Sequence, residues 1–424
     1  MRPEAQGALL HGSASSAAPS ASYLAYDSSV CRSGNFPFAL ANTSMGSGSD
    51  KLGVYELQNT LTGERATIIW ESGGNTERLL LQSPTTGKLR DILTTNEGNA
   101  TAVRANKCYA GAMLLPFANR IRNGTYTFFN KTYHLPRNEI VPGVRKDAIH
   151  GLIFNKTLET RSWGCSNETG VPTISVTLGH TFGGGADRAS FTAGPWVRGQ
   201  EANSADTAPG WPFKVDVNIT YSLSPGRFAI RTRAKSLEES EAVPWSNSWH
   251  PYFAVGSIAQ ARVEFDRCVP EPASDVDAGA TLWNHVTMGA GAPRDGDLIP
   301  TGAVTPWTSF DGIQPIGGSE AEPTFMDDEF ESALPRSSAE SSSSCGDFKQ
   351  RIHDDGGDNA TLVLFADRQH RVYQIYTGAR EKSGVNGLVL EPMSALADAY
   401  NNGDGLTVLW PGDTFDGTFG ASIE

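Results

Sequence analysis

From Leu52 onward, apolar residues recur at every second position in short runs, and Gly, Pro, Asn and Asp cluster between the runs. Val215, Val217, Ile219, Tyr221 and Leu223 alternate with more polar residues. After Ser224-Pro225-Gly226 the alternation resumes at Phe228, Ile230 and Thr232. A period of two on both sides of a turn predicts an antiparallel pair with one buried face. Tyr126-Thr127-Phe128-Phe129 and Thr132-Tyr133-His134-Leu135 flank Asn130-Lys131 and predict a β-hairpin turning at those two residues. Further β-type runs lie between Leu57 and Leu81 and at 361–366, 371–377, 387–391, 405–410 and 414–420. No segment carries a capped 3.6-residue period over an ordinary helix length. The pattern predicts an all-β chain, folded as a large antiparallel β-sandwich.

The texture divides the chain. Residues 1–50 are rich in Ala, Ser and Gly and read as a flexible lead-in; residues 51–424 read as one sandwich domain. Two stretches, near 269–300 and 334–358, have the Pro/Asp/Gly and Ser-rich composition of surface insertions. The run Gly387-Leu388-Val389-Leu390-Glu391-Pro392-Met393 predicts a buried strand that stops at Glu391, because proline cannot continue a ladder.

Charge and cysteine content narrow the partners. A formal net charge of -13 argues against nucleic acid or an anionic membrane as the main partner. No apolar run approaches the roughly 18 residues of a membrane-spanning helix. The cysteines Cys31, Cys108, Cys165, Cys268 and Cys345 are scattered, with no CxxC pair to suggest zinc or a redox motif. Asn-x-Ser/Thr acceptors at Asn42, Asn99, Asn123, Asn130, Asn155, Asn167, Asn218 and Asn359 are about twice what composition gives by chance. They lean towards an extracellular glycoprotein. Residues 1–30 have no continuous apolar core of a signal peptide, which keeps a cytoplasmic alternative open.

Several polar residues sit where a plain core would not place them. Arg120 is flanked by apolar residues in Leu115-Pro116-Phe117-Ala118-Asn119-Arg120-Ile121, which suggests a half-buried guanidinium bonded as a fork to something planar or polyhydroxylic, or to a structural carboxylate. In Ile149-His150-Gly151 the glycine allows a close approach beside the imidazole, for a ligand or simply within a turn. His250 lies in Trp245-Ser246-Asn247-Ser248-Trp249-His250-Pro251-Tyr252-Phe253, where aromatics could cover the C–H face of a pyranose or form a core. Asp327-Asp328-Glu329 fits no EF-hand spacing. Glu391 is placed either to act as a general base or to pair with a cation. No phosphate loop, GxSxG elbow or HExxH motif occurs, so the sequence implies no nucleotide or metal cofactor.

Taken in order, these stretches resemble the aldose 1-epimerase (galactose mutarotase) family. The resemblance runs from about Tyr55 to the C-terminus. It rests on Pro116-Phe117-Ala118-Asn119-Arg120-Ile121 with Gly124, His134-Leu135-Pro136-Arg137-Asn138, His150-Gly151, and His250-Pro251-Tyr252-Phe253. Asp327-Asp328-Glu329-Phe330, Leu390-Glu391-Pro392-Met393 with Asp398-Ala399-Tyr400-Asn401, and Trp410-Pro411-Gly412-Asp413 complete it. The resemblance implies a β-supersandwich that interconverts the α and β anomers of a free aldohexose, with a monosaccharide as partner and no cofactor. It implies Glu391 as general base and His250 as general acid, with Arg120, His150, Asp327 and Asn119 holding the sugar. Two other readings stand beside it. One is a non-catalytic carbohydrate-binding sandwich. The other is a hexose-6-phosphate 1-epimerase, which would want a basic cluster that Arg120 and Arg122 alone do not supply. A glycoside hydrolase would need a second carboxylate flanking the bond, for which Asp327 is the spare.

Overall fold

The computed structural model describes residues 37–105, 108–141, 145–183, 210–265, 282–285, 299, 304–306, 313–332, 348–378 and 387–424. Alternating side chains become alternating burial. Val215–Ser224 shows a strict buried/half-buried alternation, and Arg227–Ser236 repeats it beside that strand. These two strands sit in a nine-stranded antiparallel sheet. Its order runs Glu159–Ser166, Thr173–Phe182, Val215–Ser224, Arg227–Ser236, Thr414–Ile423, Thr361–Ala366, Phe348–His353, Arg262–Phe265 and Ile313–Pro315. A five-stranded meander covers Phe38–Ser47, Asp50–Asn59, Arg65–Ile69, Asn75–Gln82 and Leu89–Asp91.

The sheet that matters for chemistry has eight strands. Its path runs Val304–Pro306, Leu282–His285, Asp327–Ser332, Val372–Tyr376, Leu388–Met393, Ser248–His250 and Ala112–Leu114, with Tyr252–Phe253 also paired to Leu388–Met393. One apolar cluster joins the sheets. Leu57, Ile68, Leu79, Val217, Ile219, Phe228, Trp249, Leu364, Leu390 and Phe419 are all buried within it. Burying a side chain of this size contributes about 1.5–3 kcal/mol, so this cluster supplies the rigid floor on which the polar residues are mounted. The helices among the described residues are short, Ala100–Ala105 and Ala399–Asn402. None is long and apolar enough to cross a membrane.

Several boundaries differ from those the sequence suggests. The sheet starts inside the expected lead-in, because Phe38–Ser47 pairs along its whole length with Asp50–Asn59. Residues 1–36 lie outside the described residues. Part of each expected insertion is sheet: Leu282–His285 pairs with Asp327–Ser332, and Phe348–His353 pairs with Thr361–Ala366. The rest of 269–300 and 334–358 lies outside the described residues, apart from Ile299 and the segment from Phe348. The hairpin turns one residue earlier than its sequence suggests. Phe128 pairs with Lys131, and Phe129 and Asn130 take positive φ values of 46° and 61°, as a tight two-residue turn requires.

The strand ending on Glu391 also extends further, as Leu388–Met393. Pro392 is tolerated because the ladder on one side is interrupted there. Ser248 pairs with Met393 and Tyr252 with Val389, and no pair is formed between them. Pro251 lies in the same gap, so two prolines on neighbouring strands open the sheet at one point. On the other side Pro392 still lies opposite Tyr373.

A candidate active site at the interrupted ladder

The register is the same on both sides of this gap, so His250 falls directly opposite Glu391. Glu391 is opposite Gln374, and Gln374 is opposite Glu329. Directly opposed residues share a face of the sheet, so His250, Glu391, Gln374 and Glu329 form one polar row across four strands. Asp327 stands two residues before Glu329 and therefore on the same face. Asp328 is opposite Ile375 and faces the other way. The pleat thus selects between the two neighbouring aspartates.

His250 and Glu391 are 4% and 2% exposed, and Nε2 of His250 lies 3.4 Å from Oε1 of Glu391. The second carboxyl oxygen of Glu391 has no hydrogen-bond partner among the described residues. Burial lowers the imidazole of His250 to about 3. Burial, with the neighbouring carboxylates of Asp327 and Glu329, raises Glu391 well above the usual carboxylate range, opposed by Arg120. Both shifts penalise charge, so the pair favours one proton and no net charge. Burial also raises Glu329, to about 8, although the backbone N–H of Ala397 donates to it at 3.2 Å.

His150 joins the pair from outside the sheet. Its ligating nitrogen, that of His250 and a Glu391 oxygen all lie within 4.8 Å of one another, and the two imidazoles meet edge to face at 5.0 Å. Two histidines and a carboxylate are also a donor set that a divalent metal could use. His150 reaches this place from a turn at φ 62°, with its N–H donating to the Asn119 carbonyl at 2.9 Å. Gly151 follows at φ 72°, and a Cβ there would stand 2.4 Å from the Leu115 oxygen. The close approach that Gly151 allows is backbone against backbone, and it fixes the imidazole.

Arg120 anchors the other end. Its guanidinium donates to both oxygens of Glu139 at 3.0–3.2 Å and lies 3.7 Å from Asp327. Burial works against its charge, but Asp327 and Glu139 outweigh that and hold it cationic. A closed ring of side chains results. Arg120 donates to Asn119 at 3.2 Å, Asn119 to Gln374 at 3.2 Å, and Gln374 to Asp327 at 2.6 Å, which returns to Arg120. Each link fixes the rotamer of the next.

The structure therefore brings Glu391, His250 and His150 to one point. It links Arg120, Asn119 and Asp327 through Gln374, whose strand neighbour is Glu391. Four contributors escaped the sequence. Gln374 and Glu329 become visible only through register. Glu139 lies 19 positions from Arg120 without a motif. Tyr109, at φ 56°, packs its ring 4.6 Å from His150 and 6.5 Å from His250, and its hydroxyl accepts from Asn138 at 2.9 Å. Of the aromatics near His250 in the sequence, Tyr252 stacks on its ring at 5.1 Å, while the tryptophans take the core alternative. Trp249 is fully buried and stacks on Phe419 at 6.3 Å, on the side of its strand away from His250. Trp245 is equally buried.

With this geometry in view, the family model described as Aldose 1-epimerase matches residues 54–185 and 201–276. Galactose mutarotase of Mus musculus is 28% identical over 215 residues, 49% of this chain and 46% of that protein. This chain is similar to the aldose 1-epimerase family over those two segments, just under half its length. An uncharacterized protein of Escherichia coli, YihR, is 26% identical over 305 residues, 72% of this chain and 76% of its own. The mammalian mutarotases are matched over about half their length. Solved structures extend the fold to nearly the whole chain. A galactose mutarotase-like protein of Clostridium acetobutylicum superposes with a TM-score of 0.61 at 17% identity, over 92% of this chain and 99% of that one. Galactose 1-epimerase of Lactobacillus acidophilus gives 0.60 at 15%, over 91% and 99%. The family match includes Arg120, His150 and His250 but stops before Asp327 and Glu391. Those two carboxylates rest on the geometry above.

Proposed function

We propose that this chain interconverts the α and β anomers of a free aldohexose. Glu391 takes the proton from the C1 hydroxyl while His250 gives one to the ring oxygen. The C1–ring oxygen bond breaks with its electron pair leaving on that oxygen, and the open-chain aldehyde forms. Rotation about C1–C2 turns the other carbonyl face, and the reverse transfers close the ring. The observation that carries this reading is the opposed pair itself: one acid and one base, buried, 3.4 Å apart, with an unpartnered carboxyl oxygen. Mutarotation needs one proton shuttled between two oxygens of a single hemiacetal, and a carboxyl facing an imidazole can take one and give one. Sugar hydroxyls donating to Glu391 favour its ionised form, which sends that proton to His250.

His150, Arg120, Asp327 and Asn119 hold the hydroxyls and the ring oxygen in this reading, and Gln374 and Glu139 hold those residues in place. A free sugar is favoured over a phosphorylated one by charge. The described guanidinium here, that of Arg120, already faces Glu139 and Asp327 and leaves no unmatched cation for a phosphate among the described residues of the site. The acid/base pair likewise favours catalysis over a carbohydrate-binding role alone. The proposed setting is extracellular, supported by a disulfide at Cys165.

The test is polarimetry of freshly dissolved α-glucose and α-galactose, with glucose 6-phosphate alongside. Relaxation faster than buffer for at least one free sugar is expected, with little or no gain for the phosphate. No acceleration of either free sugar removes the proposal for those hexoses.

A further inference from the structure

Eight asparagines carry the acceptor pattern for N-linked oligosaccharide, and the fold sorts them. Asn99, Asn123, Asn130, Asn155, Asn167 and Asn359 are exposed. Asn123, Asn130 and Asn359 occupy positive-φ positions, at 53°, 61° and 60°, a conformation that asparagine tolerates better than most side chains. Asn130 is in the two-residue turn of the hairpin Thr125–Phe128/Lys131–His134. Asn167 lies between the strands Glu159–Ser166 and Thr173–Phe182. Asn99 precedes the helix Ala100–Ala105, and its Oδ1 accepts from the Ala102 N–H at 3.0 Å. A glycan on Nδ2 leaves that oxygen, and the cap, intact.

The other two differ. Asn42 is half-buried in the strand Phe38–Ser47, opposite Tyr55. Asn218 is half-buried in the interior of the nine-stranded sheet, between Gly179 and Arg233, with Nδ2 donating to Asp216 at 3.0 Å.

A second observation is independent of the acceptors. Cys165, at the sheet edge two residues from Asn167, is disulfide-bonded. Disulfides persist in oxidising compartments, the same route on which N-glycans are added.

We infer that the chain is an N-glycoprotein of the secretory pathway, modified at the six exposed asparagines and bare at Asn42 and Asn218. In each transfer the oligosaccharide's C1–O bond to its lipid pyrophosphate carrier breaks and a C1–Nδ2 bond forms. The carrier leaves as the pyrophosphate, and one Nδ2 proton is released. The inference rests on the extracellular setting proposed above and not on the acid/base pair.

The experiment takes the full chain from the cells that produce it and treats it with peptide:N-glycosidase, which returns each occupied asparagine as aspartate. Peptide masses are then read, with an unreduced digest for Cys165. Expected are a loss of mass on deglycosylation, aspartate at most of the six exposed positions, unchanged Asn42 and Asn218, and Cys165 in a disulfide-linked peptide. A chain bare at most of the six, one glycosylated at Asn218, or one with Cys165 as a thiol overturns the inference. Mutarotation is read separately, so the two readings fail independently.

Discussion

Replacing Arg120 by leucine removes the cation from a nearly dry pocket and leaves Glu139 and Asp327 behind. The guanidinium and Glu139 are 9% and 11% exposed at the side chain, so solvent screens them little. Three contacts of 3.0–3.2 Å reach one carboxylate and are not additive. Breaking such a buried pair from one side costs about 3–5 kcal/mol, mostly because the partner charge is left uncompensated. At about 2.1 cal/mol/K per residue, unfolding 424 residues has an entropy near 0.9 kcal/mol/K, so the expected fall in Tm is about 3–6 °C. Urea denaturation followed by tryptophan fluorescence gives the free energy, since Trp245 and Trp249 are buried. The pair Arg120→Leu and Glu139→Leu then closes a double-mutant cycle, with a coupling of at least about 2 kcal/mol expected in favour of the double variant. A single variant losing under about 1 kcal/mol, or a cycle without coupling, would refute the claim that this ion pair positions the guanidinium.

Three further expectations follow from the same geometry. Burial lowers His250 to about 3, so kcat/KM should stay level from pH 7 down to about pH 4, where a second proton begins to silence the pair; an inflection near the ordinary imidazole value of about 6.5 would contradict it. Glu329 is raised to about 8, so its stabilising contribution is full below its unfolded value near 4.5 and is lost as pH rises through 8. Glu329→Gln should flatten stability against pH over that window in urea titrations, and an unchanged slope would exclude this carboxyl. Gly151→Ala places a Cβ 2.4 Å from the Leu115 oxygen at φ 72°. It should destabilise by about 1–2 kcal/mol from the left-handed backbone alone and cut turnover by displacing His150, so wild-type behaviour in both assays would show the turn to be slack.

The sandwich was legible because alternation is local: Val215 to Leu223 announces its buried face without reference to any other strand. Arg120, His150, His250, Asp327 and Glu391 stood out because each is a polar residue in an apolar or Gly/Pro-marked setting. What stayed hidden depends on register. Nothing near Gln374 signals a site, and Glu329, although inside the acidic stretch with Asp327, gains a place in it only when strand pairing aligns both with Glu391. Which of the aromatics around His250 are core also depends on the pleat. A strand sends neighbours to opposite faces, so Trp249, next to the histidine, belongs to the core. Pro392 misled, since a proline stops a ladder only where the neighbouring strand offers a bond to lose.

The central claim is that Glu391 is the base facing His250. It is tested most directly by the mutarotation rate of Glu391→Gln beside wild type, on whichever free sugar the wild type turns over fastest. Glutamine keeps the shape and removes the proton acceptor, so kcat should fall by about 10²–10⁴-fold while the fold, checked by circular dichroism, is retained. A Glu391→Gln protein that equilibrates the anomers as fast as wild type would contradict the account.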